Sequence, residues 1–326
     1  MMKEFLSCDW GTSSFRLRLV DVNGYQIIAE ETNNQGIAAT FALWEQSGKA
    51  EEERCSFYLD VVHKYIGKIE NRIGRSLSGV QLIISGMASS TMGFIEIHYS
   101  QLPVGTDGTN IKTRSLPATP YFAHDVMVIS GMRTDDDVVR GEETQLIGCI
   151  DPSGEKADDE LFIFPGTHSK HIFVSNDQIT GIKTYMTGEF FELLSQKSIL
   201  RLSVDSNIGH VDPQTSVGFK MGLNDAIDES LLNAAFKVRT NSLLNKLSKD
   251  ENCQYLSGVL IGTELKELKT SSVKKISLIG GSNLSDYYLC GLKELGFLSR
   301  THEIDIVWVD GAVVRGQYKI YKKITK

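Results

Sequence analysis

The chain has 326 residues, of which 41% are hydrophobic and 23% are charged, and it carries a formal net charge of −7. This length corresponds to about two domains, and the ordinary composition excludes a disordered or low-complexity chain. The acidic balance argues against nucleic acid as a partner.

Targeting and redox signals are also missing from the sequence. The N-terminal residues contain no apolar signal segment, and no apolar run is long enough to span a membrane. The five cysteines are scattered and include no C-x-x-C pair, so neither a disulfide framework nor a zinc site is indicated. We therefore expect a soluble, cytoplasmic protein without nucleic acid or membrane partners. The sequence does not indicate an oligomeric state.

The first motif is CDWGTSSFR, residues 8–16, and it predicts a strand, a tight turn and a second strand. The small residues Gly11, Thr12 and Ser13 would let backbone N–H groups and hydroxyls converge on a phosphate. Asp9, at the end of the first strand, would then hold a Mg²⁺ ion between its carboxylate and the phosphate. A plain hairpin turn with a capping aspartate explains the same stretch equally well.

Residues 162–176 repeat this pattern at a constant offset of 155 positions. Gly166 and Thr167 align with Gly11 and Thr12, and each copy continues through a polar turn into a third strand. A three-stranded meander that occurs twice, half a chain apart, predicts two similar domains whose phosphate turns face each other across a cleft. The alternative is a chance likeness between two hairpins.

Between the two copies, apolar residues at four-residue spacing predict a helix over residues 51–73. Strands are predicted at residues 80–87 and 125–132, and residues 97–120 are expected to be loop. The first of these strands ends before the small polar residues Ser89 and Ser90. Open α/β sheets bind ligands at such strand ends, although a plain loop fits the stretch as well.

Acidic residues follow the second of these strands. Asp135, Asp136 and Asp137 are expected in a solvated turn, because adjacent side chains cannot all face one ion. Gly141 is predicted to open a helix with Glu142 and Glu143 in its first turn. Two roles remain open for this pair: partners of the helix dipole, or a general base at a strand-to-helix junction.

The polar stretch 151–160 predicts a linker between domains 1–150 and 151–326, and the last helix of the chain is expected to pack back on the first domain. The first domain would carry the first phosphate turn, and the second domain would carry the second phosphate turn. Further elements are predicted as helices at 189–199, 225–247 and 254–269, a strand from 275, a helix ending at Gly296, a strand at 305–310 and a terminal helix.

Several well-known motifs are missing from the sequence. It contains neither the G-x-x-x-x-G-K-[ST] loop nor the G-x-G-x-x-G fingerprint, which disfavours a P-loop NTPase or a standard dinucleotide dehydrogenase. It also lacks H-E-x-x-H and G-x-S-x-G. His168 and His171 are three residues apart, the wrong phase for one face of a strand, so they do not predict a metal pair.

The order of these motifs resembles the actin/hexokinase/Hsp70-type ATPase fold, an α/β fold with two ribonuclease-H-like domains and an interdomain cleft. In that fold the two Gly-Thr turns are phosphate-1 and phosphate-2, and a Gly-Gly turn before a helix is the adenosine motif. The resemblance therefore implies that domain 1–150 carries the sugar contacts and that domain 151–326 carries the adenosine site. The stretches GMASSTMGF, RGEETQLIG, FPGTHSKHI and YMTGEFFELL are similar to the 2-dehydro-3-deoxygalactonokinase family. The similarity runs along essentially the whole chain.

This resemblance implies that ATP phosphorylates the 6-hydroxyl of 2-dehydro-3-deoxy-D-galactonate in galactonate catabolism. Related sugar kinases carry a Gly-Asp pair ahead of phosphate-2, and its carboxylate is the catalytic base. Gly141 and Glu142 occupy the equivalent place, which favours Glu142 over Glu143. Because the side chain of Glu is longer than that of the Asp in related kinases, it must be placed differently to reach the same hydroxyl. Glu143 is therefore the alternative base.

The resemblance also implies the remaining roles, with ATP and Mg²⁺ as cofactors. Asp9 would act at the catalytic centre and hold Mg²⁺. The residues expected to bind the nucleotide are Gly11, Thr12, Ser13, Gly166, Thr167, Gly280, Gly281 and Ser282. Those expected near the sugar acid are Arg16, Ser89, Ser90, Arg140, Lys170, Thr187 and Glu189, with Arg133 as a further candidate for its carboxylate. The rival functions are another small-molecule kinase or an exopolyphosphatase of this fold, and a non-catalytic ATP-binding sensor or assembly protein.

Overall fold

The computed structural model describes residues 2–150, 159–205, 211–280 and 283–325. The chain divides into two compact units. Unit 1 comprises the described residues of Met1–Glu155, Asp177–Gly181 and Val307–Lys326, and unit 2 those of Lys156–Asn176 and Ile182–Ile306. No helix in the described ranges combines the length and apolar character needed to cross a membrane.

Unit 1 is built on a mixed sheet. Its strands, with the short strands beside it, are β1 (Glu4–Trp10), β2 (Phe15–Asp21), β3 (Gln26–Asn33), β4 (Gln81–Gly86), β5 (Ser100–Gln101), β6 (Val104–Gly105), β7 (Thr113–Leu116), β8 (Val126–Ile129), β9 (Met132–Arg133) and β10 (Val138–Val139). The main sheet has the order β3-β2-β1-β4-β8-β7. The first three strands form an antiparallel meander, and β4 and β8 continue the sheet in parallel with β1.

Three helices of unit 1 are α1 (Ile37–Ser47), α2 (Arg54–Ile73) and α3 (Glu142–Cys149). The buried residues of α2 include Tyr58, Val62, Tyr65 and Ile69, a spacing that places them on one face of the helix. This face packs with the sheet in one hydrophobic core. Within it, the Phe15 ring lies 4.8 Å from that of Tyr65, so the strand after the first turn is anchored by aromatic packing.

Unit 2 repeats the same sheet. Its strands are β11 (Asp159–Phe164), β12 (Ser169–Ser175), β13 (Gln178–Tyr185), β14 (Lys275–Ile279) and β15 (Thr301–Ile304). They follow the order β15-β14-β11-β12-β13, which matches β8-β4-β1-β2-β3 of unit 1. Residues 178–181 at the start of β13 are counted with unit 1, where β13 pairs with β6. The predicted repeat of one meander, and with it the ribonuclease-H-like α/β fold of actin-like ATPases, is confirmed.

The helices of unit 2 are α4 (Thr187–Gln196), α5 (Val217–Asp228), α6 (Leu231–Leu243), α7 (Lys249–Leu265) and α8 (Asn283–Glu294). Helices α5 and α7 cross with their backbones almost in contact. A Cβ atom placed on Gly222 would lie 2.1 Å from the carbonyl oxygen of Tyr255, and one on Gly258 would lie 2.1 Å from that of Phe219. Only glycine permits this separation.

The chain ends with α9 (Ile306–Asp310) and α10 (Ala312–Ile324). Helix α10 belongs to unit 1 and packs on α3 through two glycines. A Cβ atom on Gly148 would lie 1.7 Å from the carbonyl oxygen of Ala312, and one on Gly316 would lie 1.9 Å from that of Thr144. The terminal helix therefore supports the first turn of α3 directly.

The predicted helix at 51–73 is confirmed as a short 3-10 turn followed by α2. The predicted strands at 80–87 and 125–132 are confirmed as β4 and β8. The predicted helix at 225–247 is wrong as a single element, because the chain is extended at Glu229 and Ser230, between α5 and α6. The helix expected at 254–269 begins earlier, at Lys249, and the one expected at 189–199 begins at Thr187. Residues 97–120, expected as loop, contain the short strands β5, β6 and β7.

The predicted strand at 305–310 is wrong, because residues 306–310 form α9. The strand that extends the sheet is β15, which pairs with β14 through residues 301–304. Of the predicted linker, residues 151–158 lie outside the described residues and residues 159–160 begin β11. The functional division at residues 150 and 151 stays a prediction.

Candidate active site

The first turn, residues 11–14, lies against the N-terminus of α1. The N–H groups of Ile37 and Ala38 donate to the carbonyl oxygens of Gly11 (2.9 Å) and Thr12 (3.1 Å). A Cβ atom on Gly36 would lie 2.2 Å from the carbonyl oxygen of Thr12, so this approach requires glycine. The side chains of Thr12 and Ser13 are exposed. The turn is thus held by its backbone, while its hydroxyls remain accessible to a ligand.

Asp9 lies on β1 directly before this turn, opposite Arg16 on one side and Ser85 on the other. Burial raises the pKa of its carboxyl group, Arg16 and Arg18 lower it, and the charge of Glu142 raises it further. Gly86 lies beside this carboxylate, since a Cβ atom there would lie 3.4 Å from Asp9 Oδ1 and 2.7 Å from the carbonyl oxygen of Trp10. Asp9 therefore lies at the end of the sheet, beside Gly86 of β4.

The first turn of α3 approaches the same place. A Cβ atom on Gly141, whose φ is 109°, would lie 3.5 Å from the Cα atom of Gly86. Glu142 is partly exposed, and its Oε2 accepts a hydrogen bond from the backbone N–H of Arg140 at 3.1 Å. Its charge contributes to the raised pKa of Asp9. Two acidic side chains from distant parts of the sequence thus occupy one end of the unit 1 sheet.

Glu143 has a different environment. Its side chain is fully buried, and its two oxygens accept hydrogen bonds from the N–H of Gly141 at 2.7 Å and the hydroxyl of Thr144 at 2.9 Å. Burial and the neighbouring charge of Glu142 raise the pKa of Glu143 to about 7. Glu143 is directed into the protein, so only Glu142 of this pair is accessible to a ligand.

Arg140 lies beside the chain that follows β4. Its Nη1 donates to the carbonyl oxygen and to Oγ of Ser89, both at 2.5 Å, and its guanidinium lies 4.2 Å from the ring centroid of Tyr99. Within the described ranges, no Asp or Glu forms a salt bridge with this guanidinium, and its Nε has no hydrogen-bond partner. Arg140 therefore has a positive charge that is not balanced by a salt bridge to any acidic side chain that the structure describes.

The hydroxyls of Ser89 and Ser90 are both used inside the protein. Ser89 Oγ accepts from Arg140, and Ser90 Oγ donates to the carbonyl oxygen of Met87 at 2.7 Å. Both residues are buried, Ser89 completely. The structure thus gives these serines a role in shaping the segment, and their contact with a sugar stays a prediction.

The other predicted cations differ from Arg140. Arg16 donates to Asp310 Oδ1 at 3.3 Å, and Arg133 is exposed with Asp135 at 3.7 Å. Lys170 is half-buried on β12, opposite Phe164.

As predicted, residues 134–137 form a turn, in which the Thr134 N–H donates to the carbonyl oxygen of Asp137 at 2.9 Å.

In unit 2, the second turn, at Gly166 and Thr167, lies against the N-terminus of α4, as the first turn lies against the N-terminus of α1. The N–H of Glu189 donates to the carbonyl oxygen of Thr167 at 3.0 Å, the counterpart of the bond from Ala38 to Thr12. A Cβ atom on Gly188 would lie 2.7 Å from the carbonyl oxygen of Gly166 and from the Cα atom of Thr167. Thr167 is exposed. The repeat therefore includes the helix that supports each turn as well as the three strands.

The polar side chains around the second turn are paired with one another. The Glu189 carboxylate lies 2.6 Å from Nε2 of His168, and the Thr187 hydroxyl donates to Glu264. Gly280 follows β14, where a Cβ atom would lie 3.2 Å from Glu303 Oε1. Gly281 and Ser282 lie outside the described residues.

Sequence reasoning missed Glu264, Gly36 and the helix α1. Glu264 lies in an ordinary helical stretch, and no local motif distinguishes it from an exposed acid. Gly36 had one signal, since it follows the first meander as Gly188 follows the second. Its role depends on a backbone contact that only the folded chain shows.

Known proteins share this sequence pattern. The model of the family described as 2-keto-3-deoxy-galactonokinase matches residues 9–318. A candidate 2-dehydro-3-deoxygalactonokinase of Rhizobium meliloti is 28% identical over 313 residues, 92% of each chain. The 2-dehydro-3-deoxygalactonokinase of Escherichia coli is 28% identical over 223 residues, covering 66% of this chain and 71% of that protein.

A solved structure agrees with these matches. The crystal structure of a candidate 2-dehydro-3-deoxygalactonokinase from Sinorhizobium meliloti superposes with a TM-score of 0.78 at 26% identity, covering 98% of this chain and 96% of the other. The family match extends from Asp9, before the first Gly-Thr turn, to the middle of α10. The chain therefore belongs to the 2-keto-3-deoxy-galactonokinase family and is a sugar-acid kinase, which transfers a phosphate to an alcohol group.

Proposed function

We propose that the protein transfers the γ-phosphoryl group of ATP to the 6-hydroxyl of 2-dehydro-3-deoxy-D-galactonate, in galactonate catabolism. The observation that carries the proposal is the placement of Asp9 and Glu142 at one end of the unit 1 sheet, beside an exposed Gly-Thr-Ser turn. The names of the relatives support the choice of sugar acid.

The nucleotide phosphates would be bound by the two turns. Thr12 and Ser13 offer exposed hydroxyls, and the turn at Gly166 and Thr167 has the same support from its helix. Small residues at such turns allow backbone N–H groups to approach an anion closely. The stretch Gly280-Gly281-Ser282 would hold the adenosine.

Asp9 is the residue that would hold Mg²⁺, and the structure fits this role. Its carboxylate is desolvated and lies near the charge of Glu142, which is why its pKa is raised. A divalent cation would offset both effects, and hard oxygen ligands suit Mg²⁺. When bound, the ion would neutralise charge on the phosphates during transfer.

Glu142 is the proposed general base. It is the accessible member of the acidic pair, and it is placed by the helix start at Gly141. Its carboxylate would accept the proton of the sugar hydroxyl as that oxygen attacks the γ-phosphorus. Positioning of the two substrates would supply most of the remaining rate enhancement.

Arg140 is the proposed partner of the substrate carboxylate. Arg16 and Arg133 have acidic partners, whereas the Arg140 charge has none within the described ranges. A guanidinium can bind a carboxylate in a bidentate manner. The bonds to Ser89 and the stacking on Tyr99 would fix its orientation.

The test is ADP release with Mg-ATP and a panel of sugar acids, comparing the wild type with Glu142→Gln. We expect turnover on 2-dehydro-3-deoxygalactonate, and a loss of kcat of about 100-fold or more in the variant, since general bases typically contribute 10²- to 10⁴-fold. ADP affinity should stay within about twofold, because the substitution leaves the phosphate turns in place.

Glu143→Gln is the matched comparison, since it removes the neighbouring carboxylate. Loss of kcat in that variant, with Glu142→Gln active, would move the base to Glu143. Turnover on a different sugar acid would keep the kinase and replace the substrate. A wild type that binds ADP but phosphorylates no member of the panel would contradict the proposed reaction.

A further inference from the structure

The buried polar centre of unit 2 is the carboxylate of Glu264 on α7. Only 1% of its side chain is exposed. It accepts hydrogen bonds from Ser169 Oγ at 2.7 Å, His171 Nε2 at 2.9 Å, Tyr288 OH at 2.6 Å and the hydroxyl of Thr187. A carboxylate out of water is costly unless its oxygens are satisfied, and here two donors reach each oxygen.

The four donors belong to three different elements. Ser169 and His171 open β12, Thr187 is the first residue of α4, and Tyr288 lies in the middle of α8. None of these elements is adjacent to α7 in the sequence. The Glu264 carboxylate therefore ties together segments that would otherwise be joined mainly by apolar packing.

Each of these elements also adjoins part of the proposed nucleotide site. Ser169 directly follows the second phosphate turn. Helix α4 supports the same turn through the bond from the Glu189 N–H to Thr167. Helix α8 directly follows the proposed adenosine stretch, Gly280-Gly281-Ser282. One side chain thus fixes the elements that flank both parts of the site.

The Tyr288 hydroxyl is the link to α8. Burial, and then the charge of Glu264, raises the pKa of Tyr288 well above its usual value. Its hydroxyl therefore keeps its proton and donates to Glu264. Hydrogen bonds to a charged group are worth roughly twice as much as neutral ones, so this link constrains α8 more strongly than an ordinary side-chain bond.

We propose that Glu264 is a positioning residue for nucleotide binding, which holds the second phosphate turn and helix α8 in their relative places through Ser169 and Tyr288. This inference rests on the proposed use of these segments for ATP. It assigns no contact between Glu264 and the nucleotide. Its effect is on the geometry of the elements that make such contacts.

The first test compares Tyr288→Phe with Tyr287→Phe. Both changes remove one hydroxyl from adjacent positions of α8, but the Tyr287 hydroxyl donates to the carbonyl oxygen of Val211 at 3.1 Å and not to Glu264. We expect Tyr288→Phe to raise the ADP dissociation constant and the KM for ATP by about five- to twentyfold. The sugar-acid KM should change less than about twofold, because Tyr288 lies in α8, which carries none of the residues predicted to contact the sugar acid.

Tyr287→Phe should leave the nucleotide constants within about twofold. Equal effects of the two variants on ADP affinity would overturn the inference, as would equal losses of ATP and sugar-acid affinity in Tyr288→Phe. Ser169→Ala tests the link to the turn in the same way, so the question does not depend on the folding of one variant. Melting temperatures measured alongside separate a general loss of stability from a change confined to nucleotide binding.

The second test is a double-mutant cycle with Glu264→Gln, which keeps the side-chain shape. If Tyr288 acts through Glu264, Tyr288→Phe should have little further effect on ADP affinity once Glu264→Gln is already present. Additive effects of the two substitutions would overturn the inference. ADP binding needs no turnover, so these results stand even if no sugar acid is phosphorylated, and a failure of the proposed reaction is seen separately in the wild type.

Discussion

Glu142 and Glu143 are adjacent in sequence and yet occupy opposite environments. Glu142 is partly exposed at the first turn of α3, whereas Glu143 is buried with both oxygens satisfied by Gly141 and Thr144. Neighbouring carboxylates in different surroundings commonly take different chemical roles. Here the buried member would stabilise the turn that presents the accessible one.

The buried carboxyl group of Glu143 predicts a pH dependence of stability. Its pKa is raised from 4.5 to about 7 in the folded protein, so the native state holds a proton that the unfolded state releases between these values. This stabilising contribution is complete below pH 4.5 and is lost as the pH rises through about 7. The wild-type free energy of unfolding should therefore lose up to about 3 kcal/mol from this group over that interval.

Glu143→Gln removes this titration and keeps the side-chain shape. The amide oxygen can accept from Gly141, and the amide N–H can donate to the Thr144 hydroxyl. We expect the variant to gain stability relative to the wild type as the pH rises from about 5 to about 8, as measured by urea unfolding at several pH values. A difference that is constant across this range would contradict the prediction.

At the scale of elements, each of the two Gly-Thr turns packs against a helix through one glycine. Gly36 and Gly188 admit the carbonyl groups of Thr12 and Gly166 at distances that no Cβ atom tolerates. The contacts are to backbone, which cannot move aside as a flexible side chain can. The geometry of each turn is therefore set by the helix beneath it.

Gly188→Ala should separate the second turn from α4. The new Cβ atom would lie 2.7 Å from Gly166 and Thr167 backbone atoms, and overpacking of this kind typically costs about 1–3 kcal/mol. We expect lower stability in urea unfolding and weaker ADP binding. Gly67→Ala is the control, because Gly67 lies in α2 with open space around its Cβ position. That change should stabilise the protein by about 0.5–1 kcal/mol. Equal responses of the two variants would contradict this account.

The meanders were predictable because alternating apolar residues and Gly-Thr turns are local signals that repeat. Helix α1 was missed because it begins after Gly36 without a side-chain cap and has no acidic residue in its first turn. Residues 306–310 are rich in the β-branched and aromatic residues that favour strands but form α9, where tertiary contacts prevail over the local preference. Asp310 pairs with Arg18, and the Trp308 indole donates to Cys149 at 2.8 Å.

The roles of the candidate site residues stay predictions, but part of their arrangement was predictable. Asp9 and Glu142 are signalled by the turn and the helix start beside them, and in the structure Asp9 and Gly141, which precedes Glu142, both lie beside Gly86. The burial of Glu143 and the partners of Glu264 depend on residues distant in the sequence, so no local pattern contains them. Arg140 was one of four basic candidates, and the pairing of Arg16 and Arg133 with acids distinguishes it from those two.

At the scale of the whole molecule, the last helix completes the first unit. Helix α10 lies against α3, with the Cβ position of Gly316 only 1.9 Å from the carbonyl oxygen of Thr144. Arg315 and Gln317 are buried, and Gln317 donates to the carbonyl oxygen of Cys8 at 2.9 Å. Helix α10 thus supports the helix that presents Glu142.

Gly316→Ala should therefore reduce both stability and kcat. The added methyl group would push α10 away from the first turn of α3, at a cost of about 1–3 kcal/mol, and would displace Glu142. Lys322→Ala, on an exposed position of the same helix, should change the free energy of unfolding by less than about 0.5 kcal/mol. Normal kcat in Gly316→Ala would show that α10 does not position α3.

The division of the chain has a consequence for biosynthesis. Unit 2 is complete once residue 306 has been made, whereas unit 1 still lacks α10 at that point. On the ribosome, unit 1 should therefore remain incompletely folded, with the part of its core around Cys8 and α3 uncovered, while unit 2 folds. We expect nascent chains arrested before residue 312 to expose the N-terminal segment to protease and to recruit chaperones, although that segment leaves the exit tunnel first.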